Sequence, residues 1–266
     1  MTKAPQPDSA PEDRLYVQSV EKAFRVLGAF GGGRRSLGLT EVAALTGLDR
    51  SAAQRFLHTL EGLGYLAKDP ATRRFELTVR NLDLGAAYLR NSPLVDRALP
   101  YLMELNRSTQ EAVNLTILDG TDIVYVARLL SRATLHANII VGSRLPAYCT
   151  APGIAAMSRL PRVEAERILG ASSIRAHTPY TKTDMGEILG SLDLALRRGY
   201  AVTAEELFIN DISIAAPVLN TQGAPVAAIN IAVDKLRCPM EEAEARYAPL
   251  ITGAAAAISQ MQGLRD

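Results

Sequence analysis

The chain has 266 residues, 48% of them apolar and 21% charged, with a formal net charge of +1. That composition describes a folded protein with room for one large domain or two ordinary ones. Its apolar runs fall short of the roughly 20 residues needed to cross a bilayer, and its two cysteines, Cys149 and Cys238, lack zinc or redox spacing, so no membrane span, metal or disulfide framework is expected and the setting is a reducing cytoplasm.

Residues 1–14, MTKAPQPDSAPEDR, are polar and proline-rich and read as a disordered tail. From Arg14 to Arg80 there are eleven Lys/Arg against six Asp/Glu, a net of +5, while the remainder from Asn81 carries seventeen against nineteen, a net of −2. A basic front on a near-neutral body suits a nucleic-acid module joined to a different domain.

The spacing predicts a first helix from Ser19 with Val20, Ala23, Phe24 and Leu27 as its buried stripe. GGGRRS (31–36) breaks it. Thr40 is the expected N-cap of a second helix that stops at Gly47, and Asp49 that of a third ending at Gly64. The third helix has an apolar face of Ala53, Phe56, Leu57, Leu60 and Leu63. Its other face carries Arg50, Ser51, Gln54, Arg55 and His58, forked or short hydrogen-bonders in place of the usual Glu and Lys. YLAKDPATRRFEL then reads as a hairpin with a basic tip of Lys68, Arg73 and Arg74. Three helices and such a hairpin make a winged helix-turn-helix over residues 15–77.

Residues 78–92 read as a linker helix, with Pro93 marking the break after it. LVDRALPYLMELNRST continues as helix, bent at Pro100. AVNLTIL and DIVYVARL form a hairpin around DGTD, and TLHANIIV is a further strand. CTAPGIAAMSRL reads as a helix with Thr150 near its start and Pro152 in its first turn. VEAERIL and DMGEILGSLDLALRRG are amphipathic helices; YAVTAEE, ISIAAPVLN and APVAAINIAV are strands; a last helix runs from Met240 through Pro249. Strands and helices grouped this way predict an α+β fold class with a mainly antiparallel sheet over residues 93–266.

The segments YVQSVEKAFRVLGAF and LTEVAALTGLDRSAAQRFLHTLEGLGYL, with the wing ending in FELT, resemble the IclR family of bacterial transcription regulators. VGSRLPAYCTAPGIAAM, RRGYAVTAEEL and ISIAAPVLNTQGAPVAAINIAV resemble that family's effector-domain motifs, in the same order. YVQS and the Ala-Ala-x-Arg-Phe-Leu core of the third helix resemble the branch that controls aromatic-acid catabolism, whereas Cys149, Pro152 and Ile154 depart from the loop expected there. The resemblance implies an N-terminal winged helix-turn-helix, a linker helix and a GAF-like effector-binding domain. Its implied partners are double-stranded operator DNA, a small organic effector, often a carboxylate, and further copies of the chain in a homodimer or homotetramer, with no cofactor.

On this reading Gln54 and Arg55 suit adenine and guanine edges in the major groove, where a bidentate pair discriminates by about 1–3 kcal/mol. Arg50 and Ser51 suit phosphate or base edges, Thr40 a phosphate at the second helix, and Lys68, Arg73 and Arg74 the DNA backbone beside the wing. The matching effector segments nominate Thr134, Ala137, Asn138, Tyr148, Ala151, Pro152, Thr203, Ser213, Asn230 and Ala232. Ser213 and Asn230 lie in otherwise apolar strands, so each needs a hydrogen-bond partner, from the protein or from a ligand. A carboxylate anchor is sought at the helix start near Ala151, or at Arg128, His136 or Arg144.

Enzymatic motifs are missing: His58, His136 and His177 are scattered, and neither GxSxG nor a phosphate-cradling glycine loop occurs. Two further readings remain open: a metabolite-binding signalling protein whose helix-turn-helix contacts proteins, and a constitutive DNA binder without an effector.

Overall fold

The computed structural model describes residues 15–131 and 139–260. The chain divides after Tyr88 into two units.

The first unit opens with α1 (Gln18–Gly28), α2 (Leu39–Thr46) and α3 (Arg50–Gly62). Gly47 ends α2 at φ 68, a left-handed turn in which a side chain would be strained, and this turn sets α3 off from α2. Asp49 Oδ1 accepts from the Ala52 amide at 2.8 Å and caps α3. Thr40 does not cap α2. That position belongs to Gly38, whose amide gives to Glu41 Oε2 at 2.7 Å. β1 (Leu66–Lys68) and β2 (Phe75–Leu77) form the antiparallel wing, and Leu37 bridges to Phe75 on its edge.

Val26, Phe30, Leu37, Val42, Leu57, Leu60, Leu66 and Phe75 make this unit's core. α1 therefore contributes to this core through Val26, with Leu27 partly buried beside it. Val20 and Phe24, expected inside, are 52% and 59% exposed. Leu63 is likewise on the surface, since α3 has ended before it. The expected linker helix is not continuous from Thr78: a 3-10 turn, Val79–Asn81, precedes α4 (Leu82–Arg90). Thr78 Oγ1 gives to the Gly64 carbonyl at 2.6 Å and Asn81 Nδ2 to the Tyr65 carbonyl at 2.7 Å. Those two bonds hold the turn against the foot of the wing.

The second unit starts with α5 (Pro93–Thr109), capped by Ser92 and passing through Pro100. It continues through β3 (Ala112–Asp119), β4 (Asp122–Leu129), β5 (Arg144–Pro146), α6 (Ala151–Met157), α7 (Arg162–Ala171) and α8 (Met185–Arg198). β6 (Ala201–Ala204), β7 (Asp211–Leu219), β8 (Pro225–Asp234) and α9 (Met240–Gln260) complete it. The six strands form one antiparallel sheet in the order β5-β4-β3-β8-β7-β6. The short β5 was not expected, and the strand expected over TLHANIIV falls largely outside the described residues.

Alternation sorts the sheet's side chains into two layers. Val113, Leu115, Ile212, Ile214, Ile229, Ile231 and Val233 face α5 and α9 in one core. Tyr125, Ala201 and Ala215 face α6, α7 and α8 in the other. Among the described residues no helix is long and apolar enough to cross a membrane.

Candidate functional site

The exposed side of α3 carries Arg50, Ser51, Gln54, Arg55 and His58, all on the surface, while Ala53, Leu57 and Leu60 anchor the opposite side. Arg50 Nη1 reaches Thr40 Oγ1 at 3.3 Å, so the start of α2 and the first turn of α3 present one continuous polar edge. The wing residues differ among themselves. Arg73 is exposed at the tip, at φ 58. Lys68 places its Nζ 5.3 Å from the Phe75 ring centre. Arg74 turns inward instead: Nε gives to Ser36 Oγ at 3.0 Å, and Nη2 to the Ser36 carbonyl at 3.0 Å and to Glu41 at 2.8 Å. Of the three wing cations, Arg74 is thus held within its own unit.

The second unit holds a narrow pocket of about 50 Å³ between the α6 side of the sheet and the start of α6. Ala151, Pro152, Thr203, Ser213, Asn230 and Ala232, all anticipated, line it. Tyr148 does not: its hydroxyl gives to the Arg175 carbonyl at 2.6 Å and accepts the Arg175 amide at 3.0 Å. Thr134, Ala137 and Asn138, with the alternative anchor His136, lie outside the described residues. Arg144 also turns elsewhere, pairing with Asp119 at 2.7 Å and Asp122 at 3.2 Å. Of the anchors weighed, the helix start at Ala151 and the Arg128 side chain line the pocket.

Cross-strand register explains the lining. Asn114 stands opposite both Arg128 and Asn230, Asn230 opposite Ala215, and Ser213 opposite Thr203. Directly opposed residues share a face, so one polar file crosses five strands: Arg128, Asn114, Asn230, Ser213, Thr203. Arg128 Nη1 gives to Asn114 Oδ1 at 3.0 Å, Asn114 Nδ2 to Asn230 Oδ1 at 3.3 Å, and Asn230 Nδ2 to Ser213 Oγ at 2.9 Å. Ser213 and Asn230 are therefore partners of each other.

Asp211, two residues before Ser213 on the same face, also lines the pocket. Burial drives its pKa up to about 7, against the opposing pull of the Arg128 charge. Desolvation in turn lowers that of Arg128. The Cys149 thiol, on the α6 side, is pushed by burial to about 12, which makes it an inert part of the wall. Asn114 and Asp211 were not anticipated. Asn114 had a legible signal, a lone amide in AVNLTIL, the same pattern that marked Ser213 and Asn230; Asp211, at a strand edge, had none.

α6 lies against the backbone before it. A Cβ on Gly153 would stand 2.2 Å from the Ala147 carbonyl oxygen and 2.5 Å from its Cα. Only glycine lets the helix start approach this closely. Three buried carboxylates are paired: Glu111, in the pocket lining, with Arg237 at 2.7 Å, Glu206 with Lys182 at 3.0 Å, and Glu205 with Lys235.

A larger concavity of about 1230 Å³ runs along α9 beside β7. It is an open groove floored by Ala245, Ala248, Pro249, Ala255 and Ala256, and of its charged members, Arg159, Arg198, Glu241 and Glu244, Arg198 and Glu244 pair at 2.7 Å. It lacks the converging buried polar groups that mark a ligand site. Among the described residues no group of three or more His, Cys, Asp or Glu is placed to hold a metal ion.

Residues 86–260 match the family model described as bacterial transcriptional regulator IclR C-terminal, and residues 19–70 match the IclR helix-turn-helix domain. The chain is 36% identical to the p-hydroxybenzoate hydroxylase transcriptional activator of Acinetobacter baylyi, over 84% of each chain. It is 32% identical to the Pca regulon regulatory protein of Pseudomonas putida, over 91% of this chain and 83% of that one. An IclR homolog from Microbacterium hydrocarbonoxydans, solved with 4-hydroxybenzoate, shares the fold at a TM-score of 0.76 and 22% identity, covering 92% of this chain and 99% of that one.

Proposed function

Because the chain belongs to the IclR family of bacterial transcriptional regulators, we propose that it reads operator DNA through α3 and is controlled by a small organic carboxylate held in the pocket over the sheet. The observation that carries the second half is the polar file from the half-buried Arg128 through the buried Asn114, Asn230, Ser213 and Thr203, set in a pocket that apolar groups such as Ala151, Ile139 and Leu145 and the carboxylates of Glu111, Asp211 and Asp234 also line.

On the DNA side, α3 enters the major groove, the one groove in which every base pair has a distinct donor and acceptor pattern. Gln54 and Arg55 take base edges. Arg50, Ser51 and Thr40 hold the flanking phosphates, and Lys68 and Arg73 follow the backbone beside the wing. Arg74 has a smaller part, since its donors are engaged by Ser36 and Glu41. Paired half-sites call for two recognition helices about 34 Å apart or a multiple of that, hence a homodimer or a pair of dimers. Val17, Val20 and Phe24 on or before α1 and Leu82, Leu84 and Tyr88 on α4, each more than half exposed, are the surface offered to a second copy.

On the effector side, the relatives named for p-hydroxybenzoate and Pca regulation, with the structure solved with 4-hydroxybenzoate, support an aromatic acid. A cavity of about 150 Å³ takes a benzene ring. The 50 Å³ here therefore requires the wall to move, and the loop carrying Leu207 and Phe208 between β6 and β7 is one part of it without regular structure. The same small volume favours a second reading, in which an aliphatic acid of a few carbons fits without that movement. In either case the effector acts by unequal affinity for the DNA-competent and incompetent arrangements.

The experiment is fluorescence anisotropy on the DNA upstream of the protein's own gene, with and without a panel of aromatic and short aliphatic acids. Salt-sensitive binding altered by one class is the expected result. Binding that no acid alters would return the protein to a constitutive DNA binder, and no binding would favour a role in protein contacts.

A further inference from the structure

The polar file in the pocket has a direction, and that direction is set at one end. A guanidinium only donates. With Arg128 Nη1 on Asn114 Oδ1 at 3.0 Å, the Asn114 NH2 must turn toward Asn230, whose Oδ1 it meets at 3.3 Å. The Asn230 NH2 then turns toward Ser213 Oγ at 2.9 Å. Reversing the first amide would set an NH2 against the guanidinium, and reversing the second alone would bring two NH2 groups together. Asn114, Asn230 and Ser213 are 0%, 3% and 6% exposed, so these bonds lie away from bulk solvent. Ser213 receives at its oxygen, and among the described residues its hydroxyl proton is given to no neighbour.

We propose that Arg128 acts through the two asparagines as a positioning residue for specificity, making the Ser213 hydroxyl a hydrogen-bond donor into the pocket, so that the effector seats an acceptor oxygen there and not an amine. This rests on the reading of the pocket as the effector site. The arrangement selects carboxylates and carbonyls by orientation of neutral dipoles, even though Asp211 on the same face would by charge alone attract an ammonium. It also identifies the substitution that reverses the preference. An aspartate at 114 accepts from both neighbours, so Asn230 must turn its NH2 to it and its Oδ1 to Ser213. The serine then donates to Asn230 and offers the pocket a lone pair.

The test has a ligand-free arm and a probe arm, both on the full chain. Protein labelled with [15N]asparagine reports the side-chain amides of Asn114 and Asn230. Ser213→Ala and Arg128→Met are expected to shift the Asn230 NH2 resonances, with Arg128→Lys close to the native positions. Asn230 signals that ignore Arg128→Met would overturn the proposal. In the probe arm, benzoate, acetophenone and benzylamine share a ring and differ in the group offered. The native protein and Arg128→Lys should bind the first two at least about tenfold more tightly than the amine, a factor typical of one hydrogen bond. Ser213→Ala should remove that preference, and Asn114→Asp should invert it for acetophenone against benzylamine. Unchanged preference in Asn114→Asp, with the charge of Arg128 still present, would mean direct charge recognition and overturn the proposal. Binding of none of the three probes with the amide response intact would support the polarity and count against the aromatic-effector reading alone.

Discussion

Gly153→Ala asks how much the close approach of α6 matters. The added Cβ would meet the Ala147 carbonyl oxygen at 2.2 Å, its Cα at 2.5 Å and its carbonyl carbon at 2.7 Å. Ordinary van der Waals contact begins at 3.4 Å, so the two segments must part by more than about 1 Å, and backbone is on both sides of the clash. Every residue of α6 is buried, which leaves no free direction for the movement. Overpacking of this sort costs about 1–3 kcal/mol even where side chains can yield. The helix preference of alanine returns up to about 1 kcal/mol. We expect a net loss of about 2 kcal/mol or more, a large part of a typical domain's stability of about 5–15 kcal/mol. Because Ala151 and Pro152 line the pocket, any effector response should be lost with it. Gly190→Ala in α8 is the matched control: nothing lies within 4 Å of the new Cβ, so it should be neutral or stabilising by up to about 1 kcal/mol. Urea denaturation followed by far-UV circular dichroism measures both. Equal stability of the two variants would refute the packing argument.

Asp211→Asn carries a pH signature. Burial raises the folded-state pKa from 3.8 to about 7, so the folded state holds the proton more tightly than the unfolded chain. The associated stability is complete below about pH 4, drains away as pH rises to about 7, and stays lost above it. The substitution should therefore be nearly neutral near pH 4 and stabilising by about 1–4 kcal/mol at pH 8; urea midpoints showing the same effect at both pH values would contradict this. Gln54→Ala should weaken specific operator binding by about 1–3 kcal/mol and leave non-specific binding unchanged, and an equal loss on both in anisotropy titrations would end its base-reading role. Arg73→Ala should lower the slope of log affinity against log salt by about one ion. Arg74→Ala should lower that slope less and reduce thermal stability instead, because its partners are Ser36 and Glu41; identical salt slopes for the two variants would refute the distinction.

Features set by neighbours in the chain were legible in the sequence, because their causes lie within one or two turns. The Asp49 cap, the Gly47 turn, the DGTD hairpin between β3 and β4 and the proline in the first turn of α6 each depend on a few adjacent residues. Their order along the chain was enough to expect a winged helix-turn-helix followed by an antiparallel α+β domain. Periodicity was a poorer guide to burial. It found the apolar stripe of α1 but could not say that Val20 and Phe24 stay on the surface, since a stripe shows that a partner is wanted and not which chain supplies it.

Only the tertiary structure decided which side chains meet. Asn114 and Asn230 are 116 residues apart and bond because β3 pairs with β8 in one register; a shift of one residue would turn Asn230 to the other face and Ile229 into the pocket. Arg128 and Arg144 were equivalent as candidate anchors in the sequence, and cross-strand placement sends one to Asn114 and the other to Asp119 and Asp122. Arg73 and Arg74, adjacent in the chain, part in the same way, one to the tip of the wing and the other to Ser36. Local chemistry determined what each segment can form, and long-range strand pairing and packing determined which polar groups share a wall.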